Sequence, residues 1–368
     1  MPDAAAPLLD VRDLRVRFAT RAGTVHAVDG VSLAVAAGEV VAVVGESGSG
    51  KSVTARSVMG LESDVANATV TGEVRFDGQS VLDLTARERR ALWSSDIGIV
   101  FQNPLTSLNP VLRVGDQITE LLRVHRSLSR RDATERAAEL LAEVRIPSPR
   151  SRLAQYPHEL SGGMRQRVAI ALAIACGPRL LIADEPTTAL DVTVQRQVLD
   201  LLAGLTAAHG MATMLITHNL GIAARYADRV LVMYGGRIVE TGAADTLFRD
   251  AAHPYTQGLV RSIPRLDARR DRPLVPIPGR PPDLRNLPPG CRFAPRCPVA
   301  VDRCRTDDPA LLPVAAAREA ACHLAPGRPE AEAAAAVATT SGTGPAGGGT
   351  AGGGSHGSVT ATATGEGS

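Results

Sequence analysis

Eight consecutive residues, Gly45-Glu46-Ser47-Gly48-Ser49-Gly50-Lys51-Ser52, have the types and spacing of a loop that grips phosphate. The glycines let successive backbone N–H groups turn inward around an anion, and a helix starting at the lysine adds the positive end of its dipole. Lys51 brings a mobile point charge to the β and γ phosphates of a nucleotide, Ser52 offers a hydroxyl to a bridging Mg²⁺ ion, and Val53 carries the chain into the helix. Lys51 is the only lysine among 40 basic residues. A position that keeps a compact ammonium where every other cation is a planar guanidinium has strict chemistry.

A second group is Asp184-Glu185, two adjacent carboxylates at the end of the apolar run Leu180-Leu181-Ile182-Ala183. Carboxylates at a buried strand end are costly unless something uses them. Asp184 can hold Mg²⁺ through water and Glu185 can polarise an attacking water. The third group, Ser161-Gly162-Gly163, opens a helix and reads as a second anion site.

These groups need a framework that delivers them to one place. The β-branched run Val40–Val44 leads directly into the glycine loop, and it alternates along the chain with helical stretches such as Asp132–Val144, which predicts an α/β domain with a mainly parallel sheet. Leu9–Phe18, Val31–Val35 and Gly72–Phe76 before Asp77-Gly78 predict an antiparallel β region beside it. Val168–Cys176 is too short to span a membrane and reads as a core helix containing a buried Cys176. From Pro264 to Pro298 prolines remove the helical period, and after Pro329 the chain turns to Ala, Gly, Thr and Ser. The expected organisation is a nucleotide-binding domain over residues 1–262, a small irregular Cys- and Pro-rich unit over 263–329, and a disordered tail over 330–368.

With 44% hydrophobic residues, 21% charged and a formal net charge of +2, the 368-residue chain has no electrostatic bias toward nucleic acid. The N-terminus carries acids and lacks a basic start followed by an apolar core, so a cytoplasmic protein without a secretory signal is expected.

The stretch Leu160-Ser161-Gly162-Gly163-Met164-Arg165-Gln166-Arg167, lying between the glycine loop and Asp184-Glu185-Pro186-Thr187-Thr188-Ala189-Leu190-Asp191, resembles the signature of ABC transporter ATPases. The resemblance implies further roles. Gln102, in VFQNPLTSLNP, matches the glutamine that touches Mg²⁺ and senses a transmembrane partner; Asp191 matches a loop that crosses a dimer; His218, in ITHNL, matches the switch histidine on the γ-phosphate; Phe18 is placed like the aromatic that stacks on adenine. It also implies two such domains face to face, each ATP lying between one P-loop and the other chain's signature. Together with His253-Pro254-Tyr255-Thr256, these stretches look like the dipeptide and oligopeptide importer ATPases over residues 8–325. That family implies a homologous or identical ATPase partner, two permeases, an extracytoplasmic substrate-binding protein, and a place at the cytoplasmic face of the membrane.

Cys291, Cys297, Cys304 and Cys322 are separated by five, six and seventeen residues, which fits no common zinc-ribbon spacing. Four thiolates from irregular backbone would suit a [4Fe–4S] cluster, or with less support a zinc ion; some peptide-importer ATPases, in the same resemblance, carry such a cluster. The competing functional readings are a nickel or other small-solute importer ATPase, and a soluble regulator or redox sensor.

Overall fold

The computed structural model describes residues 6–103, 107–188, 190–263 and 276–326. The tail expected over 330–368, the prolines between 264 and 275, and parts of the VFQNPLTSLNP and TALD stretches (104–106 and Ala189) lie outside the described residues.

Among the described residues, twelve strands form two sheets. Strands β1 (Leu9–Thr20) and β2 (Gly23–Val35) make a hairpin, to which β4 (Ala68–Phe76) and β5 (Gln79–Ser80) add in the order β2-β1-β4-β5, with all pairs antiparallel. The main sheet contains β3 (Val40–Val44), β6 (Ile97–Val100), β7 (Leu180–Asp184), β8 (Ala212–Thr217), β9 (Arg229–Tyr234), β10 (Arg237–Ala243), β11 (Leu312–Ala315) and β12 (Arg318–Ala320). Its order is β11-β12-β10-β9-β3-β8-β7-β6, parallel from β9 through β6 and antiparallel at the other edge.

The strands that were continuous apolar runs in the sequence are those covered on both faces, as a buried parallel sheet requires. Alternation then divides their side chains. Val41 and Val43 join Leu9, Leu14, Val28, Ala55 and Val58 in a core against the antiparallel sheet, whereas Ala42 and Val44 join Val230, Val232, Leu220, Leu247 and Tyr255 on the other face. A third core, containing Ile118, Leu122, Leu140, Leu141, Val168 and Ile170, fastens the helices Val114–Arg126, Arg130–Glu143 and Gly162–Ile174 to Leu181, Ala183 and Leu215 of the sheet.

Four parallel strands end on the same edge. The glycine loop follows β3, Gln102 follows β6, Glu185 follows β7 and His218 follows β8. In open parallel sheets ligands bind at the carboxyl ends of the strands, so this edge is where a nucleotide belongs.

The chain from Pro276 starts irregularly, makes a 3₁₀ turn at Ala294–Arg296 and a short helical turn at Arg303–Thr306, and then enters the main sheet: Glu240 of β10 pairs with Ala320 of β12, and Thr241 with Glu319.

Candidate active site

The loop 45–50 is shaped by positions that admit no side chain. Gly50 has φ 102°, and a Cβ there would come closer than 3.0 Å to the Ala27 carbonyl; at Gly45 (φ 157°) it would do the same to the Met233 carbonyl. The following helix, Lys51–Val58, has neither a side-chain cap nor an acid in its first turn, which leaves its N-terminal N–H groups to a ligand. Ser47 and Gly48 are exposed, whereas Ser49 is buried and its Oγ has no hydrogen-bond partner.

Lys51 is only 4% exposed, and its Nζ donates to the carbonyls of Gly45 and Glu46 at 2.9 Å each. Burial pulls its pKa down, while the carboxylates of Glu185, Asp184 and Glu46 oppose that shift. Ser52 Oγ donates to Asp184 Oδ1 at 2.8 Å. Burial pushes the Asp184 carboxyl up, only partly offset by the Ser52 hydrogen bond. A buried carboxylate beside a hydroxyl, both at the phosphate-binding loop, is an oxygen donor set suited to Mg²⁺, a hard ion that needs few protein ligands when phosphates and water supply the rest.

Glu185 stands at the end of β7 with φ 46°, an uncommon left-handed backbone for a non-glycine residue. Three side chains meet at its Oε2. Gln102 Nε2 donates at 3.0 Å, Thr188 Oγ1 donates at 2.8 Å, and His218 Nδ1 lies 3.3 Å away. His218 is itself half exposed. Thr188, quoted in the sequence only within a motif and given no role there, belongs to this group through its bond to Glu185, and the neighbouring Thr187 Oγ1 accepts from Gln195 Nε2 at 2.9 Å.

The second anion site is a helix N-terminus. Ser161 caps the helix Gly162–Ile174 by accepting from Met164 N, and Asp191 caps the helix Val192–His209 by accepting from Val194 N. The two caps are neighbours, since a Cβ on Gly163 would strike Val194 Cγ1. Among the described residues no hydrogen bond or ion pair joins Ser161, Gly162 or Gly163 to residues 45–53 of the same chain. Phe18 lies on β1 opposite Val25, half buried against the same core that Val53 packs on.

The C-terminal segment touches the phosphate loop, which motif spacing could not have shown. Glu46 N donates to the hydroxyl of the fully buried Tyr255 at 2.9 Å, and Arg296 grips the Glu46 carboxylate with two bonds of 2.7 and 3.0 Å. Cys291, Cys297, Cys304 and Cys322 form no disulfide and line one pocket whose cavity volume is only about 10 Å³. Burial pushes the thiols of Cys291 and Cys322 up to about 11. Among the described residues, however, no group of three or more His, Cys, Asp or Glu side chains could hold a metal ion as it stands, so the expected cluster has no preformed ligand cage here.

Comparison with known proteins gives a consistent picture. The family model described as ABC transporter matches residues 28–188, and that described as oligopeptide/dipeptide transporter, C-terminal region, matches residues 239–304. A protein of Brucella melitensis named for peptide import and ATP binding is 54% identical over 318 residues, covering 84% of this chain and 94% of that one. The oligopeptide transport ATP-binding protein AppD of Bacillus subtilis is 47% identical over 317 residues (86% and 96% covered), and OppD of Salmonella typhimurium is 49% identical over 308 (84% and 91%). Among solved structures, the dimeric ATP-binding cassette MJ0796 in a post-hydrolysis state bound to ADP and Pi matches with a TM-score of 0.58 and 28% identity, covering 64% of this chain and 98% of that one.

Proposed function

Because this chain belongs to the ATP-binding subunits of ABC transporters, which are ATPases, we propose that it hydrolyses ATP to power the import of dipeptides or oligopeptides across the cytoplasmic membrane. The observation that carries the catalytic part is the meeting of Gln102, Thr188 and His218 on one oxygen of Glu185, on the strand edge that also holds Lys51, Ser52 and Asp184. The peptide cargo is supported by the named relatives and by the match of residues 239–304.

In this reading the loop 45–52 and Lys51 hold the β and γ phosphates of ATP, and Phe18 flanks the adenine. Ser52, Asp184 and Gln102 would hold Mg²⁺, which when bound neutralises phosphate charge. Glu185 accepts a proton from water as the water oxygen attacks the γ-phosphorus; the bond to the bridging oxygen breaks and its electron pair stays on the β-phosphate of ADP. Thr188 and Gln102 fix the carboxylate for that transfer, and His218 contacts the γ-phosphate. Ser161, Gly162, Gly163 and Asp191 serve the ATP of a facing subunit, either a second copy or a homologue.

The chain acts at the cytoplasmic face of the membrane with two permeases and an extracytoplasmic substrate-binding protein; among the described residues no helix is long and apolar enough to cross a membrane. Residues 1–262 form the nucleotide unit and 263–329 an accessory unit whose four cysteines are the ligand set for an iron–sulfur cluster. All four residues line one small pocket, but a cluster would have to draw their thiolates together, since among the described residues they form no metal-holding group as they stand. Iron absent from anaerobically purified protein would remove the cluster from the proposal.

Uptake of labelled di- and oligopeptides, alongside nickel, in a strain lacking the gene tests the whole reading. Restoration of peptide uptake by the wild-type chain and not by Glu185→Gln is expected; restoration of nickel uptake alone would keep the ATPase and discard the peptide cargo.

A further inference from the structure

A phosphate-binding loop with a carboxylate in it contains a contradiction. Glu46 is the second residue of the loop, and its negative charge opposes the anion that the loop is built to hold. The structure answers that charge from 250 residues away. Arg296 makes a two-bond pair with both Glu46 oxygens, and its side chain is only 5% exposed against 26% for Glu46. The guanidinium is fixed on its other sides: Nε donates to the Pro278 carbonyl at 2.8 Å, and its Cζ lies 5.7 Å from the ring centroid of Tyr234 and 5.9 Å from that of Phe293.

A second arginine from the same short segment works one step removed. Arg292 donates to the Gly235 carbonyl and to Asp29, and the adjoining Gly236 N donates to the Ser49 carbonyl at 3.0 Å. The segment 291–297 therefore reaches the phosphate loop twice, at Glu46 directly and at Ser49 through the 235–236 turn. Tyr255, whose hydroxyl accepts from Glu46 N, packs at a tilt against Phe293 with ring centroids 5.4 Å apart.

We infer that Arg296 is a positioning residue for ATP binding: it neutralises Glu46 and holds that side chain back, so that the loop presents N–H groups and Lys51 to phosphate without a competing negative charge. The inference rests on the ATP-site reading. It concerns affinity and not the chemical step: among the described residues the hydrogen bonds and ion pair of Arg296 go to Glu46, Tyr234, Pro278 and Ile277, not to Glu185, Gln102 or His218.

The test is equilibrium ATP titration, with ATP hydrolysis measured in parallel, on Arg296→Gln, Glu46→Gln and the double variant of the full chain. Arg296→Gln leaves an unpaired carboxylate in the loop and should weaken ATP binding about tenfold or more, raising KM well beyond any change in kcat. Removing the carboxylate as well should restore most of the lost affinity, and Glu46→Gln alone should bind ATP about two- to threefold more tightly at low salt. A merely structural pair predicts the opposite signs, with Glu46→Gln weaker than wild type and the double variant no better than Arg296→Gln; that pattern would overturn the inference. Should Arg296→Gln fail to fold, the sign of the Glu46→Gln change decides alone. Lys51→Ala in the same titration separates the two levels of argument. If it binds ATP normally, the site reading itself has failed, whereas loss of binding there with no effect of Arg296→Gln removes only the role of Arg296.

Discussion

Replacing Glu185 by glutamine changes one functional group and little else in the surrounding geometry. In the native site Oε2 receives Gln102 at 3.0 Å and Thr188 at 2.8 Å and faces His218 at 3.3 Å. A glutamine amide oxygen can take over those contacts, so the side chain should remain in place and the 46° backbone dihedral that sets its direction is not disturbed. The loss is the second carboxylate oxygen, which becomes an amide nitrogen with no affinity for a proton. A positioned general base contributes about 10² to 10⁴ in rate, equivalent to roughly 3 to 5 kcal/mol of barrier. Turnover should fall by that factor while the ATP dissociation constant changes by less than about threefold, because Lys51, Ser52 and the loop amides are untouched. The assay is single-turnover ATP hydrolysis beside equilibrium binding, together with the size of the protein in ATP, where the variant should accumulate as a closed dimer. Hydrolysis within about tenfold of wild type would refute the assignment of Glu185 as base, and a large loss of affinity would show that the substitution disturbed the loop as well.

Other outcomes follow from neighbouring geometry. Lys51→Ala should weaken ATP binding itself, since it removes a buried ammonium held by two loop carbonyls; titration checks this. Thr188→Ala removes one of the two donors on Glu185 and should cost about 1 kcal/mol of barrier, read as a several-fold fall in kcat with KM unchanged. Gly50→Ala forces a Cβ toward the Ala27 carbonyl at φ 102°, so both loop shape and stability should suffer by about 2 kcal/mol or more, measurable by denaturant unfolding. Ser52→Ala should raise the Mg²⁺ concentration needed for half-maximal hydrolysis while leaving Mg²⁺-free nucleotide binding nearly unchanged.

The sequence is legible where function restricts both residue type and spacing. The loop 45–52 could be read directly, because glycine geometry, one lysine and one hydroxyl occur at fixed intervals after an apolar strand. The buried strands β3 and β7 were visible for the same reason, as unbroken runs of apolar residues. Gln102 and His218 have no such local signal; a single polar side chain after a strand is ordinary, and only their place relative to other motifs singled them out. Thr188 was hidden inside a quoted motif, since nothing in a threonine's identity says which carboxylate it bonds. Strand β12, Arg318-Glu319-Ala320, contains no β-branched or aromatic residue and lies near an alanine run, so its pairing with Glu240 and Thr241 comes from tertiary context over propensity. Arg296 was least legible of all. It is one of many arginines in a proline-rich stretch, and its partner is 250 positions away.

That last distance bears on how the molecule is made. Synthesis runs from the N-terminus, so the loop 45–52 leaves the ribosome long before Arg292 and Arg296 exist. Until then Glu46 has no counter-charge from the C-terminal segment, Gly235 lacks the donor from Arg292, and the edge of the main sheet at β10 waits for β12. A chain stopped after β10 carries every nucleotide-binding motif with Glu46 still uncompensated, and by the role inferred for Arg296 it should bind ATP more weakly than the full chain, which nucleotide titration of that truncation checks.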